Sequence, residues 1–177
     1  MSFTEYSQAL LDFVRAHPNW AALVVFLLAF GESLAFISLV LPFWAMLVGI
    51  GTIIGGSSPV VFWTIVVAAG TGAALGDWVS YWLGYHYHEQ VKQMWPLKKV
   101  PGLIDKGHVF FEKYGAWAIV LGRFSGPLRA SVPIVAGITE MPWLRFQIAN
   151  WSSAFLWALV LLSPGSWGMQ WWMSRLT

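Results

Sequence analysis

Two apolar runs, Val60 to Tyr85 and Pro142 to Leu162, are each long enough to cross a lipid bilayer as a helix. This constrains the chain more than any other feature. Backbone N–H and C=O groups meet no water in hydrocarbon, so a segment there must close its hydrogen bonds within itself. A third apolar run, Trp20 to Leu41, has the length to span as well. Composition agrees: 58% of the 177 residues are hydrophobic and 10% are charged, with 13 Trp and 12 Phe. Soluble domains carry about 25% charge, and one core of this size could not hide so much apolar surface. The expected fold is an all-α integral membrane protein, a single membrane domain over residues 1–177.

The order of segments reads as two copies of one plan. Residues 3–17 form an amphipathic helix, with Phe3, Tyr6, Leu10, Val14 and His17 at helical spacing, stopped by Pro18. Residues 103–114 form another, with Leu103, Ile104, Gly107, Phe110, Phe111 and Tyr114 on one arc. Both are expected on the membrane surface. After each comes an apolar segment interrupted by helix breakers: Pro42 in the first, Gly126, Pro127, Pro133 and Gly137 in the second. After each break a span begins at a proline, Pro59 or Pro142, with Gly84 and Gly168 after the span ends. Repeat 1 covers about residues 1–85, a polar loop residues 86–102, and repeat 2 about residues 103–177. Each repeat is an amphipathic surface helix, a broken re-entrant segment and a transmembrane helix, the pattern of inverted repeats with a site at their interface. Ala68, Ala69, Gly70, Gly72, Ala73, Ala74 and Gly76 make the first span a close-packing helix.

Charge inside these segments carries the functional signal. A charged residue at mid-bilayer costs roughly 2.5–3.5 kcal/mol on insertion scales, so Glu32, Asp77, Arg123 and Arg129 need partners or water. Arg123 taken alone has the reading of a side chain snorkelling to the headgroups. Together, Arg123 and Arg129 flank Gly126-Pro127, where helical hydrogen bonding breaks, and two guanidiniums beside free N–H groups suit a phosphate or carboxylate. Glu32 is either an ion-pair partner of an Arg or a proton carrier, and Asp77 pairs with an Arg or shares in coupling. His86-Tyr87-His88-Glu89 is a solvated interface cluster by preference over a metal site, with no further ligands near it. No nucleophile or metalloprotease motif is present, so the chain is expected not to be an enzyme, and no cofactor or metal is implied. A formal charge of +2 gives no ground for a nucleic-acid partner.

The block Gly122-Arg123-Phe124-Ser125-Gly126-Pro127-Leu128-Arg129, followed by Pro133-Ile134-Val135-Ala136-Gly137, resembles the signature of the DedA family, also called the SNARE-associated or VTT-domain family. Phe30-Gly31-Glu32-Ser33-Leu34 and Gly76-Asp77-Trp78-Val79-Ser80-Tyr81-Trp82-Leu83-Gly84 resemble its two other blocks, and Asn150 and Trp157 fit its last span. The resemblance runs from about Trp20 to Leu162 and points to a bacterial inner-membrane branch. It implies two re-entrant segments meeting at mid-membrane and movement of polyprenyl phosphate or phospholipid across the bilayer. It also implies functional roles for Glu32, Arg123 and Arg129. Many members carry Pro-Gly-Asp where this chain has Pro42-Phe43-Trp44, so a second acidic residue is missing here.

The function expected is a lipid-phosphate translocase (flippase) for undecaprenyl phosphate, in the bacterial inner (cytoplasmic) membrane and multi-pass. Arg123 and Arg129 would bind the phosphate, Glu32 and Asp77 would couple protons or gate, and Pro42, Gly126, Pro127, Pro133 and Gly137 would line the site. The alternatives are a small-ion or proton-coupled secondary transporter, a phospholipid scramblase, or a membrane scaffold with every charge paired. A single chain and a homo-oligomer are both compatible with this reading. Lys92, Lys98, Lys99, Lys106 and Lys113 are half of the 10 Lys and Arg, which sets residues 86–114 in the cytoplasm.

Overall fold

The computed structural model describes residues 3–34, 43–54, 58–87, 103–125, 129 and 131–176, and all described elements are helical. They are α1 (Phe3–Ala16), a turn of 3₁₀ helix at Pro18–Trp20, α2 (Ala21–Ser33), α3 (Phe43–Ile54), α4 (Pro59–His86), α5 (Leu103–Tyr114), α6 (Trp117–Arg123), α7 (Val132–Ile138) and α8 (Trp143–Leu176). Pro42, Gly126, Pro127 and the loop 88–102 lie outside the described residues.

Two helices, α4 and the described part of α8, are long and apolar enough to cross a membrane. Each has two faces. On α4 the buried positions Ile65, Ala69, Gly72, Gly76, Ser80 and Gly84 recur every three or four residues, while Val60, Trp63, Val67, Trp78 and Trp82 are exposed. On α8 Ile148, Leu156 and Val160 face outward, opposite Phe146, Asn150, Ala154 and Trp157. An exterior of Trp, Val, Ile and Leu belongs against lipid tails rather than water.

The run Trp20 to Leu41 is not one helix. Helix α2 ends at Ser33, and Leu34 leaves it in an extended conformation, φ −74° and ψ 126°. At this end the Leu34 N–H closes the last turn onto Phe30 and Gly31, and the Glu32 and Ser33 side chains bond Arg129. The span ends also differ from expectation. Gly84 lies inside α4, which runs on to His86, and Gly168 lies inside α8. Gly84 serves close packing instead, since a Cβ there would meet the Ile134 carbonyl of α7.

The spans run antiparallel. Gly70 meets Phe155, the Ala74 carbonyl meets Asn150, and the Tyr81 ring stacks on Phe146 with centroids 4.2 Å apart. Helix α2 packs on α4 and α6 on α8; the halves after each break cross over, α3 packing on α8 and α7 on α4. Helix α1 rests on α3, and α5 on α7.

Two hydrophobic clusters result. One joins Val25 and Ala29, Leu47 and Ile50, Ile65 to Ala74, and Ala154 to Leu162. The other joins Tyr81, Ile119, Val132, Ala136, Phe146 and Ala149. Along both spans the polar residues fall between them: Asp77 and Ser80 on α4, Asn150 and Ser153 on α8.

Candidate functional site

The site is this polar layer. Asp77 and Ser80 are one turn apart on α4, as are Asn150 and Ser153 on α8, so both pairs project from the inward faces at one level. Helix α6 ends at Arg123 and α2 at Ser33, so the layer is also where two helices stop.

Arg123 is held by both spans. Its Nε donates to Ser153 Oγ at 3.0 Å, and its Nη2 donates to Asn150 Oδ1 at 2.6 Å and pairs with Asp77 Oδ2. Asn150 also donates from Nδ2 to the Ala74 carbonyl at 2.9 Å, tying α8 to α4. Arg129 is held from α2: Nη1 donates to Glu32 Oε1 at 3.3 Å and Nη2 to Ser33 Oγ at 3.0 Å. Its guanidinium lies over the Trp157 ring, 4.0 Å from the centroid, in range of a cation–π attraction. Ser80 Oγ shares its one proton between the Gly76 carbonyl of its own helix at 3.1 Å and the Ser33 carbonyl at 3.3 Å, which links the end of α2 to α4. Gly76 permits that approach, because a Cβ there would strike the Phe30 carbonyl and the Ser33 side chain.

Both ion pairs are buried, and not every polar atom is used. Among the described residues, Arg123 Nη1, Arg129 Nε and Asp77 Oδ1 have no hydrogen-bond partner. Buried polar groups are ordinarily satisfied, so these idle guanidinium nitrogens are exceptions within the layer.

The four charged residues singled out from the sequence therefore meet in two pairs, Glu32 with Arg129 and Asp77 with Arg123. Arg123 is only 4% exposed and does not snorkel. Pro133 is buried in the first turn of α7. Gly137 sits in the last turn of α7 against the Tyr81 carbonyl, at the crossing with α4. His86 is exposed and bonded to the Trp82 carbonyl, and no group of three metal-binding side chains occurs among the described residues. Ser153 and Ser80 were not singled out, and Asn150 and Trp157 entered through resemblance alone. The signal was present as polar residues spaced three apart in otherwise apolar spans, Asp77 with Ser80 and Asn150 with Ser153.

A helical chain with lipid-facing spans around a buried charged layer is an integral membrane protein with an internal polar site. The VTT domain family matches residues 18–167, and the chain belongs to that family, the DedA family. It is 36% identical to the inner membrane protein YabI of Escherichia coli (strain K12) over 159 residues, 89% of this chain and 62% of YabI. It is 34% identical to the uncharacterized membrane protein BU139 of Buchnera aphidicola subsp. Acyrthosiphon pisum, covering 88% of this chain and 60% of that one. With the inner membrane protein YqjA of Escherichia coli (strain K12) the identity is 33%, over 80% of this chain and 64% of YqjA. The chain thus spans about three fifths of the length of these curated relatives. No solved structure matches it.

Proposed function

We propose that the protein is a lipid-phosphate translocase of the bacterial inner membrane, crossing it more than once, with undecaprenyl phosphate as its substrate and no enzymatic step. One observation carries the reading: two buried guanidiniums, each with an idle N–H, lie in a polar layer closed on both sides by apolar clusters. A phosphate monoester offers acceptor oxygens that match such donors, and the planar fork of Arg suits it better than a point charge. The lipid tail stays in the bilayer, so only the headgroup needs the polar layer. The two clusters are suited to act as alternate seals, one opening while the other excludes water.

The inverted-repeat reading draws support from the exchanged packing. The half after each break lies on the other repeat's span, α3 on α8 and α7 on α4, and the spans are antiparallel. Two like units related by a twofold axis in the membrane plane, with a site at their interface, would pack in this way. Glu32 faces Arg129 directly, which supports a gating or proton-exchanging role for it.

Binding tests the reading. The purified chain in nanodiscs is titrated with a fluorescent prenyl monophosphate and with the corresponding prenyl alcohol. Saturable binding of the monophosphate, lost in Arg129→Ala and absent for the alcohol, is expected. Equal binding of both would end the phosphate reading, and binding of a small ion with no lipid phosphate would favour an ion transporter.

A further inference from the structure

Resting on that reading, we infer that the two ion pairs have separate tasks: Asp77–Arg123 is a fixed clamp between the spans, and Glu32–Arg129 is the pair that opens, with Trp157 as the seat that keeps the Arg129 guanidinium in place.

The partners of the two Arg residues differ in kind. Asp77 lies well inside α4, and Asn150 and Ser153 lie within α8. Taking all three from Arg123 requires moving a span or unwinding the last turn of α6. Asn150 is fully buried and bonded at both ends, to Arg123 and to the Ala74 carbonyl, so the clamp locks Arg123 and the two spans together. Glu32 and Ser33 instead form the last turn of α2, and Leu34 beyond them is already extended. Unwinding one turn there withdraws the carboxylate and the hydroxyl at the cost of the Ser80 bond to the Ser33 carbonyl, while α4 and α8 stay in place.

Exposure orders the pairs the same way. The side chains of Arg129 and Glu32 are 9% and 8% accessible, against 2% and 3% for Arg123 and Asp77. The Glu32 contact, at 3.3 Å, is also a long one for a charge-assisted bond. Trp157 gives Arg129 what Arg123 lacks among the described residues, an attractive surface that is not a hydrogen-bond acceptor. The ring face holds the cation whichever anion lies at its edge, a carboxylate or a phosphate. Glu32 is thus a competitor for the phosphate site, and Trp157 is a positioning residue for it.

Competition gives a sign that a structural role does not. The full chain in nanodiscs is titrated with a fluorescent prenyl monophosphate, and each variant's unfolding temperature is recorded. Glu32→Gln is expected to tighten binding by about tenfold, the equivalent of roughly 1.4 kcal/mol, since the competing charge is gone. Asp77→Asn is expected to lower the unfolding temperature more than Glu32→Gln does, since it breaks the pair that joins the spans. In the Glu32→Gln background, Trp157→Phe is expected to keep most of the affinity and Trp157→Leu to lose it, because Phe retains a ring face. Equal tightening by Asp77→Asn, weakening by Glu32→Gln, or identical affinity in the two Trp157 variants would overturn the inference. If no protein binds the monophosphate, the carrier reading fails instead. The division of tasks is then judged by unfolding alone: a greater loss for Asp77→Asn supports it, and an equal or smaller loss overturns it.

Discussion

At the scale of single residues, the two arginines predict different failures. Arg123→Ala removes the counter-charge from an Asp77 carboxylate that is buried between the spans. Breaking a buried pair from one side costs about 3–5 kcal/mol, so this variant is expected to lose both transport and thermal stability. Arg129→Ala also orphans a carboxylate, but one at a helix end, and is expected to lose transport with the smaller drop in unfolding temperature. Arg129→Lys keeps the charge and loses the planar fork, so it is expected to restore little transport. A transport assay beside differential scanning fluorimetry on the three variants checks this, and full transport in Arg129→Ala would refute it. The need for partners was legible in the sequence, because charge in an apolar run has few outcomes. Which Arg takes which carboxylate was not legible. Glu32 and Arg129 are 97 residues apart, and their meeting is decided by where α2 stops.

At the scale of elements, the site depends on α2 lying close against α4. Gly72 and Gly76, one turn apart, let the α2 backbone approach, and a Cβ at either would strike a carbonyl of Phe26 or Phe30. Because the obstacle is backbone, it cannot rotate aside. Gly76→Ala is expected to cost about 1–3 kcal/mol, as overpacking does, and to slow transport by shifting Glu32 and Ser33. Unchanged stability and transport in this variant would contradict the role given to the crossing. The small-residue character of this span was plain in the sequence, as were the helices α1 and α5. The break after Ser33 was not, since Trp20 to Leu41 is apolar enough to continue as helix. No local pattern in that run marks Ser33 as the last helical residue. Gly84 misled for a related reason: it serves the α4–α7 crossing, where a glycine in a helix permits contact rather than ending the helix, while Gly137 both lies in the last turn of α7 and serves that crossing.

At the scale of the whole molecule, the antiparallel spans and the crossed packing of α3 and α7 enclose one polar layer between two apolar clusters. The order of helical segments was visible in the sequence, whereas the packing of α3 on α8 and of α7 on α4 is a tertiary fact. Orientation follows from charge: with five of its 10 Lys and Arg between residues 86 and 114, this region is expected in the cytoplasm. Lys98→Cys should therefore resist an impermeant thiol reagent applied to intact cells, and ready labelling would reverse the assignment. The central claim is that the layer passes a lipid phosphate across the bilayer. It is tested most directly by reconstituting the chain in liposomes and following a fluorescent undecaprenyl phosphate from one leaflet to the other, with and without a pH gradient. The account predicts transport above protein-free liposomes, driven faster by the gradient, absent in Arg129→Ala and indifferent to the gradient in Glu32→Gln. Transport no faster than in protein-free liposomes, or equally fast in Arg129→Ala, would contradict it.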